Sequence, residues 1–245
     1  MNLKNLWDIF TDRYSFLPIH PQYYIKGYTN NAIDIAVKYS RGILVDIGCG
    51  RMPYREKFLK RVEKYIGVDS PDSSKYYDGK IKPNIYADAT SIPLPNGYCD
   101  TVLLSQVLEH LPDPDKSVKE AARILKKDGN LIVSTIQSYP LHDEPYDFYR
   151  YTKYGLKSLL ERNGFRLLMV REDGNVFVQG FQGFNIYLML ILKNLIKNSF
   201  GKVFALMLTP IFLTLTFISN LITYPLTYLD KHSNFRIIIT VVAKR

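Results

Sequence analysis

The segment LVDIGCG, residues 44–50, ends an apolar run on an acid and then turns through two glycines. Gly48 and Gly50 allow the backbone to approach a ligand closely and to adopt a positive φ. A dinucleotide site would have a third glycine opening a helix over a pyrophosphate, but Arg51-Met52-Pro53 follows here. Asp46 disfavours a phosphate and favours an ammonium or sulfonium cation. The turn therefore predicts a small-molecule site for a ligand with a positive centre.

Two further acids stand at the ends of the next two apolar runs. Asp69 ends YIGVD, and Asp88-Ala89 follows NIYA. An acid at the end of the second strand can accept both hydroxyls of a ribose, and a short acid at the third can accept an exocyclic amine from a purine. Each acid alone is a weak signal. Three acids at three successive strand ends predict one nucleoside-type ligand.

The chain alternates short apolar runs with helical patterns, which predicts a Rossmann-like, doubly wound α/β sheet. The runs are nearly continuous, as in parallel strands that are covered on both faces. Seven strands are predicted, at 43–47, 65–69, 84–87, 100–105, 130–136, 165–173 and 235–245. One helix is expected to begin at Asp113-Pro114 and to stop at Asp128-Gly129, and another to begin at Thr152 and to stop at Gly164.

The composition is typical of a globular protein, because 47% of the 245 residues are hydrophobic and 22% are charged. Only two cysteines are present, Cys49 and Cys99, so a reducing compartment is expected. The N-terminal MNLKNLWDIF carries Lys4 and Asp8 where a signal peptide would have an apolar core.

Most of the net charge of +9 lies in the C-terminal part of the chain, which also contains an apolar stretch. Residues 180–245 hold seven of the basic side chains against one acid, Asp230. Residues 203–229 carry no charge, and Pro210 and Pro225 are expected to interrupt a helix there. A basic, apolar segment suits an anionic membrane surface better than a nucleic-acid groove.

The ordered set of motifs resembles the class I S-adenosylmethionine-dependent methyltransferases, in the broad group that includes the quinone-biosynthesis methyltransferases. The matching motifs are VDIGCG, IGVD, ADATSIPLPNGYCDTVLLSQVLEHLPDP, AARILKKDGNLIVST and YRYTKYGLKSLLERNGF, with a last strand at 236–243. The resemblance implies a seven-stranded sheet that is mostly parallel with an antiparallel last strand. It also implies methyl transfer, with S-adenosylmethionine as the cofactor.

The resemblance also assigns cofactor-binding residues by position. Gly48, Cys49 and Gly50 would lie against the methionine part, with Asp46 orienting that loop. Asp69 would hold the ribose, Asp88 and Ala89 would meet the adenine, and Ser105 and Gln106 would line the pocket near the methionine and the sulfonium.

The stretch LHDEPYDFYRY after the fifth strand is expected to face the acceptor. His142 is the first candidate for a general base, and His110 in LEHL is a weaker one. Four more side chains are assigned to the substrate side: Asp143, Tyr146, Tyr149 and Arg150. Glu109 is interpreted as structural or at the pocket edge, and no metal site is expected.

Three parts are predicted along the chain. Residues 1–40 form an N-terminal helical cap, residues 41–179 and 232–245 form the methyltransferase domain, and residues 180–231 form an apolar helical insert. If the strands on either side of the insert share one sheet, both ends of the insert lie on one side of any membrane. That excludes a single crossing and allows an in-plane helix pair or a re-entrant hairpin.

The insert leads to the functional hypothesis of methyl transfer to a membrane-embedded or lipid-linked acceptor, such as a lipid-linked glycan or a quinone-like lipid. The expected location is the cytoplasmic face of an anionic membrane, with monotopic attachment. Two alternatives stay open. The acceptor is a soluble metabolite and the insert is a lid or a homodimer interface, or the protein binds cofactor without turnover. Nucleic-acid modification is not expected, because SQVLEH replaces the Asn/Asp-Pro-Pro-aromatic turn of amino-methylating enzymes.

Overall fold

The structure is a computed structural model that describes residues 15–76, 81–197, 199–230 and 234–245. Residues 1–14 of the predicted helical cap, and residues 198 and 231–233 of the predicted insert, lie outside this range. Seven strands are present in the described residues: β1 (Ile43–Ile47), β2 (Lys64–Asp69), β3 (Ile85–Tyr86), β4 (Cys99–Ser105), β5 (Leu125–Ile136), β6 (Arg166–Asp173) and β7 (Ile238–Lys244).

These strands form one sheet in the order β3-β2-β1-β4-β5-β7-β6. The pairs from β3 to β5 are parallel, whereas β7 pairs antiparallel with β5, from Asn130 opposite Lys244 to Ile136 opposite Ile238. The strand order reverses between β1 and β4, which is where ligands bind in open α/β sheets. The predicted fold class, a mostly parallel doubly wound sheet with an antiparallel last strand, is confirmed.

Six α-helices are described: α1 (Tyr23–Tyr39), α2 (Arg55–Leu59), α3 (Pro114–Ile124), α4 (Lys153–Arg162), α5 (Val176–Leu195) and α6 (Ser199–Leu226). Both predicted helix starts are confirmed by their caps. Asp113 accepts the Lys116 N–H at 3.1 Å and Thr152 accepts the Gly155 N–H at 3.1 Å. Each cap satisfies one of the N–H groups that a helix start leaves without a partner.

The predicted end of α3 at Asp128-Gly129 is wrong. The helix ends at Ile124, and β5 begins at Leu125, opposite Cys99. The chain then turns tightly, with Asp128 at φ +65°. A Cβ on Gly129 would lie 2.8 Å from Leu125 Cδ2, so glycine is needed for the turn inside the strand and not for a helix end.

The contacts divide the chain into two compact units. The sheet unit comprises residues 31–137, 141–172 and 238–245, and the hairpin unit comprises residues up to 30, 138–140 and 173–237. The predicted three-part division stays a prediction. The core of the sheet unit is built from the two faces of the sheet, with β1 residues Leu44 and Val45 fully buried.

In the hairpin unit, α5 and α6 form an antiparallel pair. Leu192 packs with Ala205 and Phe212 near the turn between the helices. At the other end, the Asn175 side-chain amide donates to the Thr227 carbonyl at 3.2 Å. Both ends of the hairpin therefore lie together.

The prediction that prolines interrupt the insert is wrong, because α6 runs unbroken through Pro210. Pro225 lies in the last turn of the helix. Near Pro210, the Thr209 hydroxyl donates to the Ala205 carbonyl at 2.7 Å, and the Thr214 hydroxyl donates to the Pro210 carbonyl at 2.9 Å. Neither of these bonds goes to the Leu206 carbonyl, which is the one that loses its helical N–H donor to Pro210.

Candidate active site

The glycine turn after β1 is anchored on the neighbouring strand β2. The N–H groups of Gly48 and Cys49 both donate to the Val68 carbonyl, at 2.8 and 3.1 Å. Gly48 adopts φ +71°, and a Cβ there would lie 2.4 Å from Val107. Gly50 adopts φ +51° with nothing within 4 Å of its missing Cβ. The turn thus needs glycine for its backbone at both positions, and it leaves open space above Gly50.

Asp69, at the end of β2, holds the same turn from its side chain. Its Oδ2 accepts the Gly50 N–H at 2.9 Å and its Oδ1 accepts the Ser70 N–H at 2.7 Å. The predicted ribose-binding acid and the predicted methionine-binding loop are therefore joined by a direct hydrogen bond. Each carboxylate oxygen has two lone pairs, so the carboxylate keeps acceptor capacity for ligand hydroxyls.

Met52, in the segment Arg51-Met52-Pro53, completes the turn that the two glycines begin. Met52 adopts φ +50° and its N–H donates to the Cys49 carbonyl at 2.9 Å, which closes the turn. A Cβ on Gly67 would lie 2.8 Å from Met52 Sδ and 2.7 Å from Cys49 Sγ. Sequence reasoning missed Gly67, although a lone glycine in a strand pattern is a signal for close packing.

Asp46 is buried beneath the turn and accepts a hydrogen bond from the Tyr65 hydroxyl. Burial raises the pKa of Asp46 to about 7, and the charge of Asp69 adds to the rise, while the Tyr65 hydrogen bond opposes it. Near neutral pH this carboxyl is poised between its two forms. A cationic ligand nearby would favour the carboxylate.

Asp88 and Ala89 follow β3 in a loop that is fixed from two sides. Asp88 is exposed, and its Oδ1 accepts the N–H and the hydroxyl of Thr90 at 2.8 and 2.7 Å. Further along, Glu120 accepts the Ile92 N–H at 2.6 Å, and Arg123 donates to the Ile92 carbonyl at 2.9 Å. These contacts hold the loop that would meet the adenine.

Gln106 directly follows β4 and has a strained conformation, with φ +55°. Its N–H donates to the Ser134 carbonyl at 2.7 Å, and its side-chain amide donates to the Ser134 hydroxyl at 2.9 Å. These bonds to β5 fix Gln106 and the preceding Ser105 at the carboxyl edge of the sheet. This is the edge to which Gly48 and Asp69 also belong.

Both predicted histidines come together beside a buried acid. The rings of His110 and His142 are 4.8 Å apart, edge to face, and one ligand atom from each lies within 4.8 Å of an oxygen of Glu109. Glu109 is fully buried, and burial raises its pKa, while the hydrogen bond from Thr135 and the two histidines oppose the rise. The sequence offered no spacing that joins Glu109 to His142, since 32 residues separate them.

The four residues assigned to the substrate side fall into two groups. Asp143, Tyr146 and Tyr149 are exposed, whereas the Arg150 guanidinium binds Asp147 in a bidentate pair at 2.6 and 2.7 Å. The Asp147 side chain is 1% exposed, and Arg150 holds its pKa well below the usual range. Asp147, which the sequence analysis did not select, is the anchor of this loop.

A separate cavity of about 330 Å³ lies within the hairpin unit. Its lining is apolar with a few polar side chains: Ile25, Ser138, Tyr139, Pro140, Gln179, Gln182, Gly183, Ile186 and Ile237. The Gln179 amide donates to the Ser138 hydroxyl at 2.8 Å, and its Oε1 has no hydrogen-bond partner among the described residues. A buried amide oxygen of this kind is an acceptor site for a ligand donor.

Residues 45–133 match the family described as Methyltransferase domain. A probable S-adenosylmethionine-dependent methyltransferase of Mycobacterium tuberculosis is 30% identical over 95 residues, which cover 38% of this chain and 35% of that protein. A ubiquinone biosynthesis O-methyltransferase of Saccharophagus degradans is 27% identical over 143 residues, covering 55% of this chain and 58% of that protein. The chain thus spans about a third to three fifths of the length of these curated relatives.

Solved structures share the fold at low identity. A SAM-dependent methyltransferase from Archaeoglobus fulgidus has a TM-score of 0.55 and 17% identity, covering 91% of this chain and 97% of that one. The [4+2]-cyclase SpnF has a TM-score of 0.54 and 16% identity, covering 89% of this chain and 79% of that one. Residues 45–133 therefore resemble a methyltransferase domain, and the sheet has the fold of these solved structures, so the predicted resemblance is confirmed. Since a cyclase shares the fold, the fold alone does not set the reaction.

Proposed function

We propose that the protein transfers a methyl group from S-adenosylmethionine to an acceptor held at or in a membrane. The glycine turn and Asp46 would bind the methionine part and its cation, Asp69 the ribose, and Asp88 with Ala89 the adenine. When bound, the cofactor would supply a methyl group already activated on a sulfonium, which would pass to the acceptor in exchange for the acceptor's proton and leave the electron pair on sulfur. The chain's own part is therefore binding and orientation.

The observation that carries the membrane part is the inverted polarity of the helical hairpin. The α5–α6 pair exposes many apolar side chains, and beside buried apolar ones such as Leu192 and Phe212 it buries several polar side chains. The buried polar set is Gln182, Asn185, Thr216, Ser219, Asn220 and Thr223. The exposed set on α6 is Phe200, Val203, Phe204, Leu206, Met207, Leu208, Ile211, Leu215, Phe217, Ile218, Leu221, Ile222 and Tyr224. Hydrocarbon, not water, is the solvent that stabilises such a surface.

The buried polar groups hold the hairpin unit together. The Asn220 amide donates to the Pro18 carbonyl at 2.6 Å and to the His20 carbonyl at 3.1 Å, while the Asn185 amide donates to Asn220 Oδ1 at 3.3 Å. The Tyr24 hydroxyl donates to the Asn220 carbonyl at 2.9 Å. Interhelical amide and hydroxyl bonds of this kind are typical of helices that pack in lipid, where a hydrophobic driving force between helices is missing.

The dimensions and the ends of α6 also support insertion. From Lys202 to Tyr224 the helix rises by about 33 Å, close to a hydrocarbon thickness of about 30 Å. Lys193, Lys197 and Lys202 cluster at the turn end, and residues 174–229 contain no acid, which suits anionic lipid. Because α6 exposes apolar side chains along most of its length, away from α5 and from the segment that contains Pro18 and Tyr24, a re-entrant hairpin fits better than an in-plane helix pair.

The cavity of the hairpin unit supports an acceptor with a polar head on an apolar chain. Gln179 Oε1 can accept a hydrogen bond from such a head, and Ile25, Ile186 and Ile237 can contact an apolar portion. Lipid-linked glycans and quinone-like lipids both have this character. The proposed location is the inner face of the membrane, with the sheet unit in the cytoplasm.

The test supplies purified protein with methyl-labelled S-adenosylmethionine and a total extract of source-cell membranes and cytosol, followed by partition between organic and aqueous phases. Label in the organic phase supports the proposal. Label confined to the aqueous phase overturns the lipid acceptor and favours a soluble metabolite. Label in neither phase, with cofactor binding intact, favours a non-catalytic cofactor-binding protein. Asp69→Ala is the matched control, because it removes the turn's anchor and should incorporate no label.

A further inference from the structure

We propose that Glu109, His110 and His142 bind one divalent transition-metal ion. The three side chains come from two places in the chain, the turn after β4 and the loop after β5. One ligand atom from each lies within 4.8 Å of the others, so a single ion can contact all three after small side-chain adjustments. Neither histidine was expected to act with Glu109, and no metal was expected from the sequence.

The Nδ1 atom of each imidazole lies beside an oxygen acceptor. His110 Nδ1 lies 2.6 Å from the Tyr146 carbonyl oxygen. Because a carbonyl only accepts, Nδ1 of the neutral ring carries the proton and Nε2 keeps the lone pair. His142 Nδ1 lies 3.2 Å from Asp147 Oδ2, and the same argument gives Nε2 the lone pair. Metal-binding histidines are oriented by this type of second contact.

Asp147, which orients His142, is itself held in place by neighbouring groups. Arg150 binds both of its oxygens at 2.6 and 2.7 Å, and the His142 N–H donates to Oδ2 at 3.0 Å. The carboxylate is therefore held against the imidazole by the loop's own backbone and by a charge pair. A carboxylate that orients a histidine in this way raises the basicity of the ligating nitrogen.

Glu109 supplies an independent observation that points to a ligand. Its side chain is fully buried, and Oε2 accepts the Thr135 hydroxyl at 2.7 Å. Oε1 is also buried and has no hydrogen-bond partner among the described residues. A buried carboxylate oxygen without a partner is costly, and a metal ion close to it removes that cost.

The donor set indicates the class of metal. Two imidazole nitrogens and one carboxylate oxygen suit Mn²⁺, Fe²⁺, Co²⁺ or Zn²⁺, whereas Mg²⁺ and Ca²⁺ prefer sites built from oxygen. Three protein ligands leave coordination positions for water or for an oxygen of the acceptor. On the proposed methyltransferase function, this ion would hold the acceptor oxygen, which narrows the acceptor class to hydroxylated molecules. The metal site itself does not depend on that function.

The experiment measures metal binding by chelator-treated full-length protein in the absence of any acceptor. Titration with Co²⁺, followed by its visible absorption, and with Mn²⁺ and Zn²⁺, followed by calorimetry, should show one ion per chain. Glu109→Gln and His142→Gln should each weaken binding by on the order of 100-fold or more, since each removes a ligand. Asp147→Asn should weaken it by about 10-fold to 100-fold. Glu144→Gln, an exposed acid in the same loop, is the matched control and should bind like the unchanged protein.

Circular dichroism and a thermal melt confirm that each variant is folded. Binding of less than one ion per chain by the unchanged protein overturns the site, and so does equal affinity in Glu109→Gln. If a variant fails to fold, the Co²⁺ spectrum of the unchanged protein decides, because imidazole ligation gives tetrahedral or five-coordinate bands that aqueous Co²⁺ lacks. The experiments distinguish the absence of the metal site from the absence of the proposed function. Tight metal binding without methyl transfer refutes the function, and methyl transfer unaffected by metal removal refutes the metal's role.

Discussion

The Asp69 carboxylate accepts the backbone N–H of Gly50 at 2.9 Å, so the end of β2 fixes the turn that follows β1. The same side chain also accepts the Ser70 N–H at 2.7 Å, which sets its orientation. One acid thus positions the glycine turn, and on the proposed function it would also face the ribose. A charge-assisted hydrogen bond to a backbone N–H is among the stronger hydrogen bonds in proteins, so the loop's geometry depends on this residue.

Asp69→Ala is expected to reduce cofactor affinity by more than the loss of the ribose contacts alone. The change removes two charge-assisted bonds, each of about 1.5–3 kcal/mol, and frees the Gly50 backbone. Affinity for S-adenosylhomocysteine, measured by calorimetry, should fall by about 100-fold or more. Asp72→Ala, an exposed acid three residues further along, should bind normally. Equal affinities for the two variants would refute the role given to Asp69.

Gly48 and Gly50 should differ in their tolerance of a side chain. Both have positive φ, so alanine is strained at either position by about 1 kcal/mol. Only at Gly48 would the new Cβ lie 2.4 Å from Val107, so Gly48→Ala should lose cofactor binding and melt at a lower temperature than Gly50→Ala. Val107→Ala should restore much of the loss in the Gly48→Ala background. Failure of that rescue would show that the contact with Val107 is not the cause.

Asp46 should make the stability of the free protein pH-dependent in a defined direction. Its folded pKa of about 7 is raised by burial above an unfolded value of about 3.9. The folded state therefore binds more protons between these values, and the free energy of unfolding should fall as pH rises through that window. Asp46→Asn removes the effect, so its stability relative to the unchanged protein should increase from about pH 4 to about pH 7, by at most about 4 kcal/mol.

Urea unfolding at several pH values measures this difference. Tyr65→Phe removes the hydroxyl that lowers the Asp46 pKa, so it should move the transition to higher pH. Parallel stability profiles for Asp46→Asn and the unchanged protein would show that Asp46 does not titrate in this range.

The sheet and the helix caps could be predicted from local sequence patterns, whereas the site could be predicted only in part. β1 was predicted at its exact bounds, because buried parallel strands give continuous apolar runs. The position of Asp69 beside Gly50 could be expected, since parallel strands end at one edge of a sheet. The cluster of Glu109 with His142 could not, because it depends on how the loop after β5 folds back. That conformation is fixed by long-range backbone bonds, in which the Phe148 and Tyr149 N–H groups donate to the Glu109 carbonyl.

Two predictions were wrong for local reasons: the end of α3 and the break in α6. Asp128-Gly129 has the composition of a helix end, but the same pair also suits a tight turn inside a strand. Pro210 was expected to break α6, a rule that holds for helices in water. Proline is tolerated within transmembrane helices, where neighbouring helices and local adjustments of the backbone satisfy the groups that it frees. This exception agrees with the membrane environment proposed for the hairpin, although proline alone does not establish it.

Ile211 tests that environment, because it lies near the middle of the apolar part of α6 and is 58% exposed. If the hairpin enters hydrocarbon, Ile211→Asp should oppose insertion by about 2.5–3.5 kcal/mol and reduce binding to vesicles by about 50-fold or more. Flotation with vesicles that contain anionic lipid measures this binding. Tyr154→Asp, at a position that is 73% exposed in the sheet unit, adds the same charge and should float like the unchanged protein. If the unchanged protein stays at the bottom of the gradient and instead forms a dimer that Ile211→Asp dissociates, the apolar surface is an interface between two copies of the chain. These two results can be distinguished. A charge buried in a protein interface changes the oligomeric state with or without lipid, whereas a charge in hydrocarbon has an effect only when vesicles are present.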